Sequence, residues 1–249
     1  MNFPVLRSSL RVLLPAALLL ASCSKKDEPT PTPPPVTGRV LFWHVAAAVN
    51  TPLTFFANEQ QAGALAYGQN TAYTTVTAGN AIIRVNNGTQ VVDTKTLAVA
   101  KDQSYSVFAY SPANTIGSAA LLTTTDDLSA PATVGTAKVR LVNLGVNAAT
   151  PVKLAIPSAT PGGTPAYLTP DVNFGAVSGY ILLNAGTQNL VVAPSSASTP
   201  PLVVGDGSGT GTGSKNYEAG KIYTIVVRGI DGPGVPPAQQ VQVVVLANN

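Results

Sequence analysis

Apolar and polar residues alternate with a period of two in several segments of this 249-residue chain. Branched side chains occupy alternate positions of Val152–Ile156, and residues 223–228 place Tyr223, Ile225 and Val227 on one side. Alternation over five or six residues predicts half-buried β-strands. No stretch has a convincing helical period, so the pattern predicts an all-β protein.

Turn signals bound these segments. Residues 86–88 (NNG) follow an alternating run and predict a hairpin turn. Ala-Gly pairs at 78–79 and 185–186 predict turns that lead into strands. The chain has 22 glycines and 21 prolines, as expected for many short strands joined by turns.

The body of the chain repeats itself. Residues 39–45 match residues 138–144 at an offset of 99, and the offset then grows because the second copy has inserted loops at 157–170 and 205–214. Later matches pair Tyr67-Gly68 with Phe174-Gly175, Tyr73 with Tyr180, Ala78-Gly79 with Ala185-Gly186, and Tyr105 with Tyr223. Order, spacing and residue type agree, so we predict two related modules. The predicted bounds are 38–129 for the first, 130–136 for the linker and 137–249 for the second.

The repeated residues resemble the domain of unknown function family 4397 (DUF4397), which occurs in bacterial envelope and secreted proteins. The resemblance covers nearly all of residues 38–249 and includes the opening strand, the Phe/Tyr-Gly pair and the Ala-Gly turn. The first copy departs from the second with His44 in place of Asn143. The resemblance implies two tandem immunoglobulin-like β-sandwich domains at a surface, and it implies no chemistry.

The N-terminal segment has the pattern of an export signal. Arg7 and Arg11 precede an apolar run of ten residues, 12–21, which is too short for a membrane-spanning helix of about 20 residues. The run ends in LASC at 20–23, which resembles the lipobox of bacterial lipoproteins. We therefore predict a signal peptide at 1–22 and a lipid attached to Cys23. An ordinary cleaved signal with an incidental cysteine, or a short buried helix, is the alternative.

The residues after the cysteine predict a tether. The charged run SKKDE at 24–28 resembles the signal that sends lipoproteins of Bacteroidota to the outer face of the outer membrane; a solvated charge run is the alternative. Residues 29–35 (PTPTPPP) favour extended polyproline II, so 23–37 form a lipidated, proline-rich tether. We predict an outer membrane lipoprotein of the cell envelope, whose membrane partner is bound through this anchor.

The charge distribution excludes nucleic acid as a partner. Charged residues make up 10% of the chain, against about 25% in typical domains. Four of the 14 basic and two of the 11 acidic residues precede residue 29, which leaves the body with ten bases, nine acids and a net charge of about +1. No basic stripe with interleaved aromatic residues is present in the sequence.

The sequence predicts no enzyme, metal or cofactor site. His44 is the sole histidine and Cys23 the sole cysteine, so a zinc site or a Ser-His-Asp triad lacks its parts. Glu59 and Glu218 are not equivalent in the two copies, and nothing brings them together as a hydrolase would require. The glycine-rich segment 205–215 lacks the phosphate-loop pattern and predicts a flexible hairpin loop.

The recurring tyrosines leave two interpretations open. Tyr73, Tyr180, Tyr105 and Tyr223 are predicted to be buried, with hydroxyls bound by the backbone as in a tyrosine corner. Alternatively they form an aromatic platform for a sugar, although Trp43, the sole tryptophan, is poor provision for it.

The predicted function is therefore non-catalytic. We expect an interaction or spacer module of the bacterial envelope, with an unidentified protein or glycan partner. Loops 157–170 and 205–216 are the predicted binding elements, because loops on a rigid scaffold carry function. A carbohydrate-binding accessory lipoprotein of a polysaccharide-uptake system is the alternative.

Overall fold

Strands make up nearly all of the regular structure in the computed structural model of this chain. It describes residues 34–160, 163–196, 200–205 and 213–249, and residues 35–249 form one compact unit. Within that described part, the single helical element is a 3₁₀ turn at Pro237–Gln239. The all-β prediction is confirmed. The predicted signal peptide, Cys23 and most of the tether lie outside the described residues.

The N-terminal half, as we call the strands before residue 127, contains eight strands. They are β1 (Thr37–Val45), β2 (Leu53–Ala57), β3 (Gln60–Leu65), β4 (Thr74–Thr77), β5 (Gly79–Asn87), β6 (Gln90–Val99), β7 (Ser104–Tyr110) and β8 (Ala120–Asp126). The predicted turn after the alternating run is confirmed, because Asn87 pairs with Gln90 across a tight connection.

The C-terminal half begins at residue 136 and contains eleven strands in its described part. They are β9 (Thr136–Asn143), β10 (Val152–Ile156), β11 (Ala166–Tyr167), β12 (Ala176–Val177), β13 (Ile181–Asn184), β14 (Gly186–Gln188), β15 (Leu190–Pro194), β16 (Leu202–Val204), β17 (Lys215–Tyr217), β18 (Ile222–Arg228) and β19 (Gln242–Ala247).

Both halves pair their strands in the same order. The N-terminal half has one sheet of order β4-β1-β7-β8, and β13, β9, β18 and β19 pair in the corresponding way. In each, the first strand runs parallel to the late tyrosine strand, as Val40 pairs with Tyr105 and Val139 with Tyr223. The common order agrees with the sequence repeat, while the division into two tandem domains stays a prediction.

The second sheets also correspond, with one difference. Strands β3-β2-β5-β6 form a separate sheet in the N-terminal half, whereas β11-β10-β15-β16 continue into β19. A parallel bridge between Val204 and Val243 makes this connection. The described strands of the C-terminal half therefore form one continuous nine-stranded sheet. Strands β14 and β17 pair separately.

Each half has its own apolar core, and a third apolar layer lies between the halves. All eight residues of β9 are buried, and β1 and β18 are buried on nearly every position. The half-buried prediction is therefore wrong for residues 223–227. The outward faces of these strands pack on one another and bury residues from both halves: Leu41, Trp43, Val45, Phe108, Val142, Leu144, Val226 and Val244.

The halves lie side by side with their parallel strands starting at the same end of the body. Asp126, which pairs with the start of β7, contacts Arg140 in β9, and the next residue, Asp127, contacts Lys138 near the start of β9. At the other end, Tyr110 at the end of β7 contacts the ring of Phe174. The amide of the next residue, Gly175, donates to the carbonyl of Asn143 at the end of β9. We call the end where Val36 leads into β1 the entry end, and the opposite end the far end.

The described residues contain no helix that is long and apolar enough to cross a bilayer.

Candidate functional site

A buried ion pair connects the two halves near the entry end. The Nη2 atom of Arg140 on β9 lies 2.5 Å from Oδ1 of Asp126 on β8, and the two side chains are 2% and 0% exposed. Arg140 also donates through Nη1 to the Thr125 carbonyl at 3.1 Å. A buried charge is tolerated only when it is paired and hydrogen-bonded, and these contacts meet that condition.

Neighbouring hydroxyl and amide groups complete the network. Ser106 and Tyr73 each donate to Oδ2 of Asp126 at 2.6 Å. Asn248, from the C-terminal half, donates to the Tyr73 hydroxyl at 3.1 Å and accepts from Thr224 at 2.7 Å. Burial and the Asp126 carboxylate raise the pKa of Tyr73, so its hydroxyl stays a donor. The Asp126 carboxylate is thus held from both halves.

The segment between the halves is bound to β9 rather than free. Nζ of Lys138 lies 2.5 Å from Oδ2 of Asp127 and donates to the Ser129 carbonyl at 3.0 Å. The hydrogen bonds that the Lys138 ammonium and the Ser129 hydroxyl donate to Asp127 lower the pKa of its carboxyl to about 2. Lys138 is itself buried. The connection therefore adds a fixed contact to the interface.

Aromatic contacts join the halves at the far end. The guanidinium of Arg228 lies 4.7 Å from the Tyr67 ring centroid, within the range of a cation–π contact. Desolvation lowers the pKa of Arg228. Gly68 lies so close that a Cβ there would come within 2.5 Å of Arg228 Nη1. Residue 67 corresponds to Phe174 in the repeat, and the Phe174 ring contacts Tyr110 in the equivalent way.

His44 lies near the end of β1 and has a structural role in the loop that follows. It accepts through Nδ1 from the Ala46 amide at 3.3 Å, so Nε2 carries the proton toward the Thr51 carbonyl. Burial lowers the pKa of His44 to about 4, which keeps the ring neutral. Asn143, its counterpart, accepts from the Gly145 amide and donates to the Val172 carbonyl. His44 and Asn143 thus both accept a hydrogen bond from the backbone amide two residues further along the chain.

The recurring tyrosines divide into two pairs. The hydroxyl of Tyr105 accepts from the Ala100 amide at 3.0 Å, and that of Tyr223 accepts from the Glu218 amide at 3.1 Å. Backbone-bound hydroxyls were predicted, and for this pair the prediction is confirmed. For Tyr73 it is wrong, because its hydroxyl bonds side chains across the interface. For Tyr180 it is also wrong, because no described backbone group bonds its buried hydroxyl.

Tyr180 lies at the same interface. Its ring centroid is 4.8 Å from the guanidinium carbon of Arg140, a cation–π distance. Burial raises the pKa of Tyr180 to about 12.

The two candidate carboxylates, Glu59 and Glu218, lie apart in different halves. Glu59 is in the turn after β2, largely exposed and paired with Arg84 at 2.8 Å. Glu218 is exposed after β17 in the other half. In the described part of the chain, no three His, Cys, Asp or Glu residues cluster as a metal site. The glycine-rich segment lies mostly outside the described residues.

A sugar platform is not built from the recurring aromatic residues. Trp43 is 3% exposed between the halves, where Nε1 donates to the Gly68 carbonyl at 3.2 Å. Tyr167, 47% exposed on β11, is the single exposed aromatic residue among those the structure describes. Its ring lies 4.7 Å from the Lys153 ammonium. The carbohydrate-binding alternative therefore lacks the exposed aromatic pair that would support it.

A cavity of about 390 Å³ opens at the far end of the C-terminal half. Val152, Val192 and Val227, from three strands, form its buried base. Asp231 and Gln240 lie among the lining residues and supply polar groups. Volumes of about 300–1,000 Å³ are usual for small-molecule sites.

The family match covers the N-terminal half and the start of the C-terminal half. Residues 30–153 match the sequence profile described as "Domain of unknown function (DUF4397)". The DUF4397 match takes in β1–β8, continues through β9 and ends inside β10. It therefore includes Asp126 and Arg140, both partners of the buried pair.

Other comparisons add little to the DUF4397 match. None of the curated proteins compared with the chain matches it. A crystallised protein from Bacteroides eggerthii, described as a "putative cell adhesion protein", is 11% identical and aligns over 86% of this chain and 95% of its own. The TM-score is 0.23, which is too low for the likeness to carry an argument.

Two of the sequence motifs that resemble DUF4397, the Ala-Gly pairs and the Phe/Tyr-Gly pairs, have local structural roles. Gly79 and Gly186 of the Ala-Gly pairs have φ angles of +119° and +116°, which side-chain-bearing residues rarely adopt. The amides of Gly68 and Gly175 donate to the carbonyls of His44 and Asn143 at 2.8 Å each. These motifs therefore set turns and the ends of strands.

Proposed function

We propose that this chain is a non-catalytic, lipid-anchored surface protein of the bacterial envelope, and that its two halves act as one rigid spacer. The observation that carries the proposal is the buried interface between the halves. It combines an apolar layer with the fully buried pair of Arg140 and Asp126. Two flexibly linked domains would leave such surfaces exposed to water, where apolar area is costly.

The two halves are proposed to be tandem DUF4397 copies with an immunoglobulin-like sandwich origin. The common strand order and the equivalent roles of Tyr105 and Tyr223 support this. So do the equivalent roles of His44 and Asn143. Two unrelated domains can share one such residue by chance. Equivalent roles at several positions of the repeat favour a duplication.

The anchor is proposed from the sequence alone. Cleavage before Cys23 and acylation of its sulfur would attach the chain to a membrane, and two or more acyl chains give stable anchoring. Growth with an alkyne-modified fatty acid tests this. The wild-type chain should be labelled, Cys23→Ala should lose the label and Ser24→Ala should keep it. Label on Cys23→Ala, or a mature chain that retains Met1, would refute the anchor.

Surface exposure needs a separate test. An epitope inserted after Gly234, at the far end, or at the fully exposed Val134, near the entry end, should bind antibody on intact cells. Cells permeabilised through the outer membrane give the reference signal. Binding only after permeabilisation would place the protein on the inner side of that membrane and contradict the proposed location.

A further inference from the structure

The wall of the far-end cavity in the C-terminal half includes a position that a larger, buried side chain occupies in the N-terminal half. At the offset of 99, Val49 aligns with Ala148, and the Thr-Pro pairs that follow align as well. Val49 is 1% exposed and belongs to the N-terminal core. Ala148 lacks the two methyl groups of valine and lies on the cavity wall. The C-terminal half therefore has a small side chain on the cavity wall at the position where the N-terminal half has a buried valine.

The floor of the cavity is apolar and belongs to the core. Val192 and Val227 are fully buried, and Val152 is 2% exposed. Leu202 and Ile230 extend the apolar wall toward solvent. Engineered apolar cavities of about 150 Å³ already bind benzene, so a volume of about 390 Å³ accommodates a short alkyl chain or a ring.

The polar groups of the lining accept hydrogen bonds. Asp231 is one of the lining residues, and its carboxylate has no described cation within ion-pair distance. The Nε2 atom of Gln240 donates to the Val235 carbonyl at 3.1 Å, which leaves its Oε1 as an acceptor. Two acceptors, one of them charged, are complementary to a ligand that carries N–H donors and a positive charge.

We propose that this cavity binds a small organic cation, a primary amine with a short apolar body. The apolar part enters between Val192, Val227 and Leu202, while the ammonium group pairs with Asp231 and donates to Gln240. The proposal rests on the cavity alone and does not depend on the lipid anchor.

Hexylammonium is a suitable probe, with hexan-1-ol and hexanoate as neutral and anionic partners of the same chain length. Binding is followed by amide chemical shifts of the Cys23→Ala full chain at neutral pH. We expect saturable shifts at Ala149, Leu202 and Gly232, with affinity in the order ammonium, alcohol, carboxylate. Equal affinity for the three probes, or no saturable shift at these residues, would overturn the proposal.

Variants separate the two parts of the site. Ala148→Leu should fill the mouth and abolish the shifts, whereas Ala98→Leu, on an exposed position of β6, should leave them unchanged. Asp231→Asn, at an exposed position that should not affect folding, should weaken hexylammonium about fivefold and leave hexan-1-ol unchanged. Undiminished hexylammonium binding by both Ala148→Leu and Asp231→Asn would show that the ligand binds elsewhere.

Discussion

The guanidinium of Arg140 and the carboxylate of Asp126 lie 2.5 Å apart, on strands of different halves and out of contact with solvent. A charge pair in this position makes the packing of the halves specific, because any shift of one sheet over the other would leave both charges unpaired. The apolar residues around the pair supply attraction without direction. The pair thus fixes the register in which the halves meet.

Removal of one partner should destabilise the protein strongly. Asp126→Ala leaves the guanidinium of Arg140 buried without its counter-charge, and we expect a loss of roughly 3–5 kcal/mol in the free energy of unfolding. Urea unfolding followed by Trp43 fluorescence measures this, since Trp43 lies in the same interface. A loss below about 1 kcal/mol would show that the pair is not desolvated as described.

A double variant provides the control for this prediction. Asp126→Leu combined with Arg140→Met replaces both charges with apolar side chains, and such replacements are often neutral or stabilising. We expect the double variant to be more stable than Asp126→Ala. If it is equally unstable, volume and packing at these positions matter more than the unpaired charge.

The buried His44 should make stability depend on pH. Its pKa is about 4 in the folded chain and about 6.5 when unfolded, so the unfolded state binds the proton first as the pH falls. Stability from this group is therefore fully present above pH about 6.5 and is lost between about 6.5 and 4. We expect a loss of roughly 2–3 kcal/mol between pH 7 and pH 4.5, measured by urea unfolding.

His44→Asn is the matched control, because Asn143 already performs this role in the other half. The variant should remain folded at pH 7 and should lose most of the difference between pH 7 and pH 4.5. His44→Ala should fold less stably at pH 7, since the Ala46 amide loses its acceptor. A pH dependence that is the same in His44→Asn as in the wild type would contradict the assignment.

The backbone-bound tyrosines should contribute similar stability in both halves. Tyr105→Phe and Tyr223→Phe each remove the acceptor of one amide, and we expect each to cost about 1–2 kcal/mol of unfolding free energy. Tyr167→Phe, at an exposed position, should change stability by less than about 0.5 kcal/mol. Thermal unfolding of the three variants, compared with the wild type, distinguishes these effects.

Val49 should be required for the N-terminal core in a way that Ala148 is not for the other half. Val49→Ala removes a fully buried side chain, and we expect a cost of roughly 2 kcal/mol from lost burial and the cavity left behind. Calorimetric melting measures the loss. A neutral Val49→Ala would mean that the Val49 side chain does not support the N-terminal core.

Much of the fold follows from sequence because the strand pattern is local. Val152–Ile156 forms a strand with the predicted bounds, and the turn after residue 87 lies where the NNG signal predicts it. The Ala-Gly pairs mark turns because their glycines adopt a positive φ. These features depend on a few neighbouring residues, and a single sequence contains them.

The packing of the halves could not be predicted in the same way. Val226 and Arg140 alternate with core residues, so the period of two predicts that they lie on the outer face of their sheet. The period does not predict which surface packs against that face. Arg140 indicates a buried polar contact, since it is the one charged residue inside the apolar run VRLV. Its partner Asp126 belongs to the other half, and nothing local connects the two. The far-end cavity is lined by residues that are distant in sequence, among them Ala148, Val192 and Val227, so no local pattern predicts it.

The most direct test of the rigid body is a distance measurement between the halves. Spin labels on Val91→Cys and Val203→Cys, both exposed positions on strands of opposite halves, are introduced into the Cys23→Ala chain and measured by pulsed electron resonance. A single narrow distance distribution is predicted, because the interface holds the halves in one arrangement. A broad or two-peaked distribution would show that the halves move independently, and would contradict the account.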